Sequence, residues 1–278
     1  MKEKIKAVLF KLWIILSAII VLSSTAFIFI YIIKNGINSI SLEFIFGNPK
    51  GFPIGAEGGV FPAIVGSLLL MLIACIFATI LAVSTAVYVT FYCESKKIEG
   101  IVHVIVQCMA GVPSIVLGLF GYTLLVANLK LGRSLLSGGI TLGIMIFPFI
   151  EVRVEKTLRE VSSSLINSSY ALGVSKSYTL FKLILPICKT DIVSAITLAG
   201  GFAMGAAAPI ILTAAVIFAP IPSSLSSPVM ALPFHLYILT GEGISLEKSY
   251  ATALVLIMLL FIINILSMAL TFKRKELK

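Results

Sequence analysis

Two histidines, four cysteines and twelve carboxylates are the residues of this 278-residue chain that could ligate a metal, attack a carbonyl or relay protons. Their spacing favours none of these. Cys75, Cys93, Cys108 and Cys188 lie 18, 15 and 80 residues apart without a C-x-x-C pair, so they signal neither a zinc site nor a disulfide framework and read as small apolar packing residues. His103 and His235 are more than a hundred residues apart, with no carboxylate or thiol noted at metal spacing, and read as polar tips at an interface. No G-x-x-x-x-G-K-[ST] run is present to hold ATP, and no carboxylate or lysine sits in mid-span for a proton relay. What remains is non-covalent. Pro113 and Ser114 could kink a helix and turn a hydroxyl or a freed carbonyl toward a pathway, or the proline could simply be tolerated. Gly200, Gly201, Gly205 and the run Ala206 to Ala208 suit close helix packing or the lining of a passage, and Asn264 suits an interhelical hydrogen bond.

The elements that would position these residues follow from composition. Hydrophobic residues make up 59% of the chain and charged ones 12%, with a mean hydropathy of +1.12, which excludes an ordinary water-soluble domain. A net charge of +9 would raise nucleic-acid binding in a soluble protein, but here it is the placement of the charges that carries information. The 22 uncharged residues from Leu12 to Ile33 are enough to cross about 30 Å of hydrocarbon. No A-x-A-like cleavage site precedes Lys34, so this run reads as a retained anchor rather than a signal peptide.

Further spans are expected near 63–92, 101–129, 134–150, 192–219 and 249–272, making an all-α integral membrane protein of about six transmembrane helices. The 50 uncharged residues from Ile192 to Gly241 are too long for one crossing, and Pro220, Pro222, Pro228 and Pro233 mark 220–248 as an outer loop or re-entrant segment. With six spans, 16 of the 21 Lys and Arg share the side of the N-terminus. The positive-inside rule then puts both termini, 1–11 and 273–278, in the cytoplasm of a cell whose cytoplasmic membrane holds the protein. The basic tail, which begins at Lys273, would also meet anionic lipid.

The segment 151–191 is the one soluble-looking stretch of any size. It reads as charged helix, then a short helix, Gly173, and an amphipathic run closed by Pro186. A short rigid helix between two spans can pass a push from a soluble partner to the bundle. The residues Asn167, Ser168, Ser169, Ala171, Leu172, Gly173, Leu185 and Pro186 have the spacing of the E-A-A…G…I-x-L-P loop of ABC-importer permeases, although Asn167 and Ser168 stand where that family has Glu and Ala. The run from Glu57 to Ser67 and the run from Ala110 to Gly121 resemble the second- and third-span signatures of phosphate permeases of the PstA type. The resemblance covers about residues 57 to 215. It implies a type I importer permease fold with a cytoplasmic coupling helix, in a subunit that translocates inorganic phosphate and is not itself an enzyme. It also implies a second, related permease, a dimeric ATPase that holds ATP and Mg, an extracytoplasmic phosphate-binding protein, and no cofactor on this chain.

One departure bears on the substrate. Where permeases of that type carry R-A-x-G-E-T-A-P in the fifth span, this chain has Phe202-Ala203-Met204-Gly205-Ala206-Ala207-Ala208-Pro209. Losing an intramembrane Arg and Glu changes the electrostatics of a pathway. The neutral donors left to meet an oxyanion are Ser114, Thr213 and backbone amides near Gly205, with Pro113 beside them. Another oxyanion as substrate, or a non-transporting scaffold or sensor that docks an ATPase, stays open as an alternative.

Overall fold

The computed structural model describes residues 2–275; Met1 and residues 276–278, including Lys278 of the basic tail, lie outside the described residues. Most of the described chain is helical; the exceptions include a two-residue antiparallel ladder, β1 (Pro49–Lys50) and β2 (Glu57–Gly58), and the irregular stretch 214–231. Among the described residues, five helices are long and apolar enough to cross a membrane, or six if one bent pair counts as a span.

α1 (Lys2–Gly36) is exposed along nearly its whole apolar length, so lipid or another chain must cover it. It runs antiparallel to α12 (Leu246–Lys275), with Tyr31 edge-on to Tyr250 and Phe29 against Phe261. Between them, α2 (Leu42–Phe46) is capped by the Ser41 hydroxyl, which accepts from the Phe44 N–H. Lys248 ties this end together by donating to the Gly58 carbonyl at 3.0 Å and lying over the Phe44 ring.

The centre of the bundle is α3 (Phe61–Val87) against α6 (Leu135–Arg159). α3 begins with Pro62 in its first turn, where a missing N–H costs nothing. Ala74, Ala78, Ala82 and Ala86 recur every fourth residue and are all fully buried. On α6, a Cβ at Gly143 would lie 3.1 Å from the Ala74 carbonyl and one at Gly139 would strike Ile73. Small faces on both helices let the backbones approach, which is the main source of association where lipid is as apolar as leucine.

Two spans are broken. α4 (Lys96–Ala110) and α5 (Ser114–Gly121, continued as a π-type turn to Asn128) meet at 99°, because Pro113 forces Val112 out of the helical region and ends α4. The stretch 101–129 is therefore not the straight crossing that its apolar run suggests. Likewise 192–219 is not one helix: α9 (Leu185–Met204) stops at Gly205, and α10 (Ala208–Thr213) carries the chain six residues further. α5 packs on α10, with a Cβ at Gly118 placed 3.0 Å from Pro209.

The bounds of the connecting segments shift accordingly. α6 runs on past 150 through the charged helix expected there to Arg159, as Val154 and Leu158 continue its buried stripe. After α7 (Ser163–Ala171), α8 (Lys176–Thr179) leads through a π-type turn, Leu180–Ile184, directly into α9. Pro186 does not close this run. It lacks the N–H for an i−4 bond and its ring crowds that carbonyl, and the chain accommodates it by widening one turn. Within the expected coupling loop 151–191, only about 160–175 lies between the long helical runs.

The stretch 220–248 contains a buried helix, α11 (Leu232–Gly241), in which Leu232 and Leu239 are fully enclosed. The Ser67 hydroxyl on α3 accepts from the Leu232 N–H at 2.8 Å. His235 is buried as well, its Nδ1 3.2 Å from the Thr252 hydroxyl, and so is not an interfacial tip. Met230 passes across Gly66 so closely that any Cβ there would collide with its carbonyl.

Gly66→Val should therefore lower the detergent-solubilised thermal midpoint sharply, by an overpacking cost of about 1–3 kcal/mol or more. Gly100→Ala, where nothing lies within 4 Å, should leave the midpoint unchanged or slightly raised. Equal behaviour of the two variants in a thermal-shift measurement would contradict this packing.

Candidate functional site

The connection between α6 and α9 presents most of the expected docking residues. Asn167, Ser168, Ala171, Leu172 and Gly173 are exposed, and Leu172 reaches 82% exposure. Gly173 takes φ +76°, a left-handed conformation that ends α7 and would strain any residue with a Cβ. Ser169 is half-buried, its hydroxyl 2.8 Å from that of Thr179, which pins α7 to α8. Leu185 and Pro186 belong instead to the first turn of α9. The expected docking residues thus divide between α7 with its turn and the first turn of α9, which holds Leu185 and Pro186.

The four expected pathway residues are not gathered into one cavity. Pro113 is exposed at the 99° bend and Ser114 is half-buried at the start of α5. Gly205 is exposed at the end of α9, where its N–H bonds to the Gly201 carbonyl. Thr213 does not face an open space: it is fully buried, and its hydroxyl donates to the Pro209 carbonyl at 2.7 Å. It packs α10 against Gly121 rather than offering a free donor.

A cavity of about 660 Å³ lies instead between α6, α9 and α12. Phe149 and Phe202 flank it with ring centroids 5.0 Å apart, and Arg153, Ser194 and Asn264 supply its polar edge. Asn264 donates to Leu260 of its own helix at 2.8 Å, so the observed bond is not interhelical glue. The small residues split between the two roles. A Cβ on Gly200 would sit 2.7 Å from the Cys75 sulfur, which makes that glycine a packing device, whereas Gly201 borders the cavity.

The family of binding-protein-dependent transport system inner membrane components matches residues 79–275. The chain belongs to that family. It is 29% identical to the probable ABC transporter permease protein YqgI of Bacillus subtilis over 72% of this chain and 67% of that one. It is 30% identical to the phosphate transport system permease protein PstA 1 of Mycobacterium tuberculosis over 77% of this chain and 71% of the relative. In fold it is similar to an inward-facing MetNI methionine ABC transporter chain, with TM-score 0.63, 17% identity, and 76% and 94% coverage of the two chains. This is an importer permease subunit of the type I fold, an integral membrane protein and not a member of a catalytic family.

Two parts of this permease were missed in sequence. One is the cavity, because Phe149, Arg153 and Asn264 come from regions more than a hundred residues apart in the case of α6 and α12. The other is a polar cluster where α4 meets α6. His103 Nε2 lies 3.0 Å from both oxygens of Glu155, and Arg159 donates to Glu155 at 2.7 Å and to Glu99 at 2.6 Å. His103 is therefore not a lone polar tip. The spacing Glu99-x-x-x-His103, one helical turn, was the available signal.

Ser169→Ala should loosen the hold of α7 on α8 by about 0.5–1.5 kcal/mol, the worth of one such hydrogen bond. Amide exchange across 163–175 should quicken about three- to tenfold while α3 and α6 stay protected, which hydrogen-exchange mass spectrometry would resolve.

Proposed function

We propose that this permease subunit translocates inorganic phosphate into the cell, driven by ATP hydrolysed on a separate dimeric ATPase. The observation that carries the docking part is the exposed Leu172 beside a left-handed Gly173, at the end of a short helix in the connection between α6 and α9. The phosphate part is supported by the phosphate-permease relatives and by the runs 57–67 and 110–121. A second, related permease would complete the pathway, and an extracytoplasmic phosphate-binding protein would deliver the substrate. ATP and Mg would be held by the ATPase, with no cofactor on this chain. The protein would lie in the cytoplasmic membrane with both termini inside, the arrangement in which 16 of 21 basic residues are cytoplasmic.

The route of the push is physical. Closure of the ATPase dimer displaces α7 as a rigid body. α6 leaves one end of the docking segment and α9 the other, so both helices are pulled together. These two line the 660 Å³ cavity, whose flanking pair Phe149 and Phe202 comes one from each helix. Relative movement of α6 and α9 would therefore open or close the space between those rings.

A second reading, transport of a different oxyanion, is favoured by Phe202 and Ala206, which leave no charge at those positions of the fifth span. A non-transporting scaffold or sensor would dock the ATPase and move nothing.

Vesicles that hold this chain with its partner permease, ATPase and binding protein should show ATP-dependent uptake of labelled phosphate that excess unlabelled phosphate blocks. An assembled, ATP-hydrolysing complex without phosphate uptake would contradict the phosphate assignment, and competition by another oxyanion would redirect it. Leu172→Arg should leave membrane insertion intact, because the side chain touches little of its own chain, yet reduce ATPase co-purification and uptake to near background. Normal assembly and uptake in that variant would remove the docking assignment.

A further inference from the structure

The cluster between α4 and α6 holds more negative charge than its partners neutralise. Glu99 and His103 lie one turn apart on α4, and Glu151, Glu155 and Arg159 follow at successive turns on α6. Donor atoms of Glu99, His103 and Glu155 lie within 4.8 Å of one another. Arg159 bridges Glu99 and Glu155 and makes no hydrogen bond to Glu151.

Glu151 is the anomaly. It is fully buried and no donor reaches its carboxylate; its polar neighbour is the Glu155 carboxyl, with which it can share a proton, and it borders the same small cavity as His103, Glu155 and Arg159. A buried ionised carboxylate is among the most costly arrangements a fold can hold, and either a proton or a bound cation relieves it. Three carboxylates face one guanidinium and one imidazole.

We propose that Glu99, His103 and Glu155, with Glu151 behind them, form a site for one divalent transition-metal ion of the zinc or manganese class. An imidazole nitrogen with carboxylate oxygens selects such ions over magnesium and calcium, which favour all-oxygen shells. Arg159 stands where the ion would enter, and it can leave: it is the last residue of α6 and 44% exposed, with water within reach. The ion and the guanidinium therefore compete for Glu99 and Glu155. Metal binding would free Arg159 at the point where the chain turns into the docking segment, so the site is placed to stiffen or release that segment. Binding itself does not depend on which substrate the permease moves.

The test uses the purified full chain in detergent, stripped with chelator and dialysed against Zn²⁺, Mn²⁺ or Mg²⁺ in turn. The expected result is one Zn²⁺ or Mn²⁺ per chain, no Mg²⁺, and loss of about tenfold or more in affinity in Glu155→Gln and in His103→Gln. Arg159→Gln, which removes the competitor, should bind at least as tightly as the wild type; a purely structural ion network predicts no metal in any of the three. The four free cysteines are the alternative ligands, so the wild type is also loaded with Co²⁺. Thiolate charge-transfer bands in its absorption spectrum would overturn the proposal. So would metal retained by a monodisperse Glu155→Gln, or a wild type that takes up none, the result expected if Glu151 and Glu155 simply share a proton. The wild-type measurements decide the matter even if a variant does not fold.

Discussion

Close backbone approach between α3 and α6 is the constraint on which the rest of the molecule depends. In water, two apolar faces associate because water is expelled; between helices in lipid that term is largely absent, and what remains is van der Waals contact at short range. The four-residue alanine repeat from Ala74 to Ala86 and the glycines Gly138, Gly139 and Gly143 supply that contact. A larger residue at these places would hold the helices apart and loosen everything seated on them. α11 hangs on α3 through Ser67, α5 meets α6 where Gly121 faces Thr141, and α9 joins the same pair where Gly200 meets Cys75.

Against that rigid pair, the breaks acquire meaning. A membrane helix can be interrupted only where neighbours take up the freed backbone groups, and both interruptions here have such neighbours. α5 and α10, the two halves beyond the breaks, pack on each other, and the Ser134 N–H bonds to the Thr213 carbonyl at the end of α10. The other halves, α4 and α9, lie toward the docking segment. The molecule is thus divided into one end stitched by backbone hydrogen bonds through 214–231, and another end whose contacts are side-chain pairs such as Arg159 with Glu99 and Tyr92 with Ser177. Side-chain pairs exchange more cheaply than backbone ladders, so motion is easiest at the docking end.

Uncharged runs made the apolar helices legible, because a charge in hydrocarbon is expensive and its absence over twenty residues is a strong signal. The same signal misplaced their ends. Glu151 reads as the close of a span, yet α6 continues because Val154 and Leu158 keep packing, and helix ends follow packing and capping rather than charge. Pro186 reads as a stop, but one widened turn accommodates it. The short helix α7 and its turn at Gly173 were legible from local spacing, since a left-handed glycine acts through one turn of chain. The α6–α9–α12 cavity was not, and neither was the pairing of His103 with Glu155 across 52 residues, because both exist only once distant helices are side by side. Thr213 shows the limit from the other side: a hydroxyl in a sequence looks available until the helix carbonyl that takes it is seen.

The exchange of charge for ring at position 202 is best understood with the cavity in view. Phe202 is 53% exposed and meets Phe149 across the space between α9 and α6. A charge at that position would require a partner or water on the facing helix, and Phe149 offers neither. Two rings at this distance instead make an apolar constriction that water leaves readily and that a small relative shift of the helices widens. The nearest cation in the cavity lining is Arg153, one turn further along α6 from Phe149 toward the docking end. Polar and apolar functions that one span would combine are here separated along α6. Phe149 and Arg153 therefore move together with any displacement of α6.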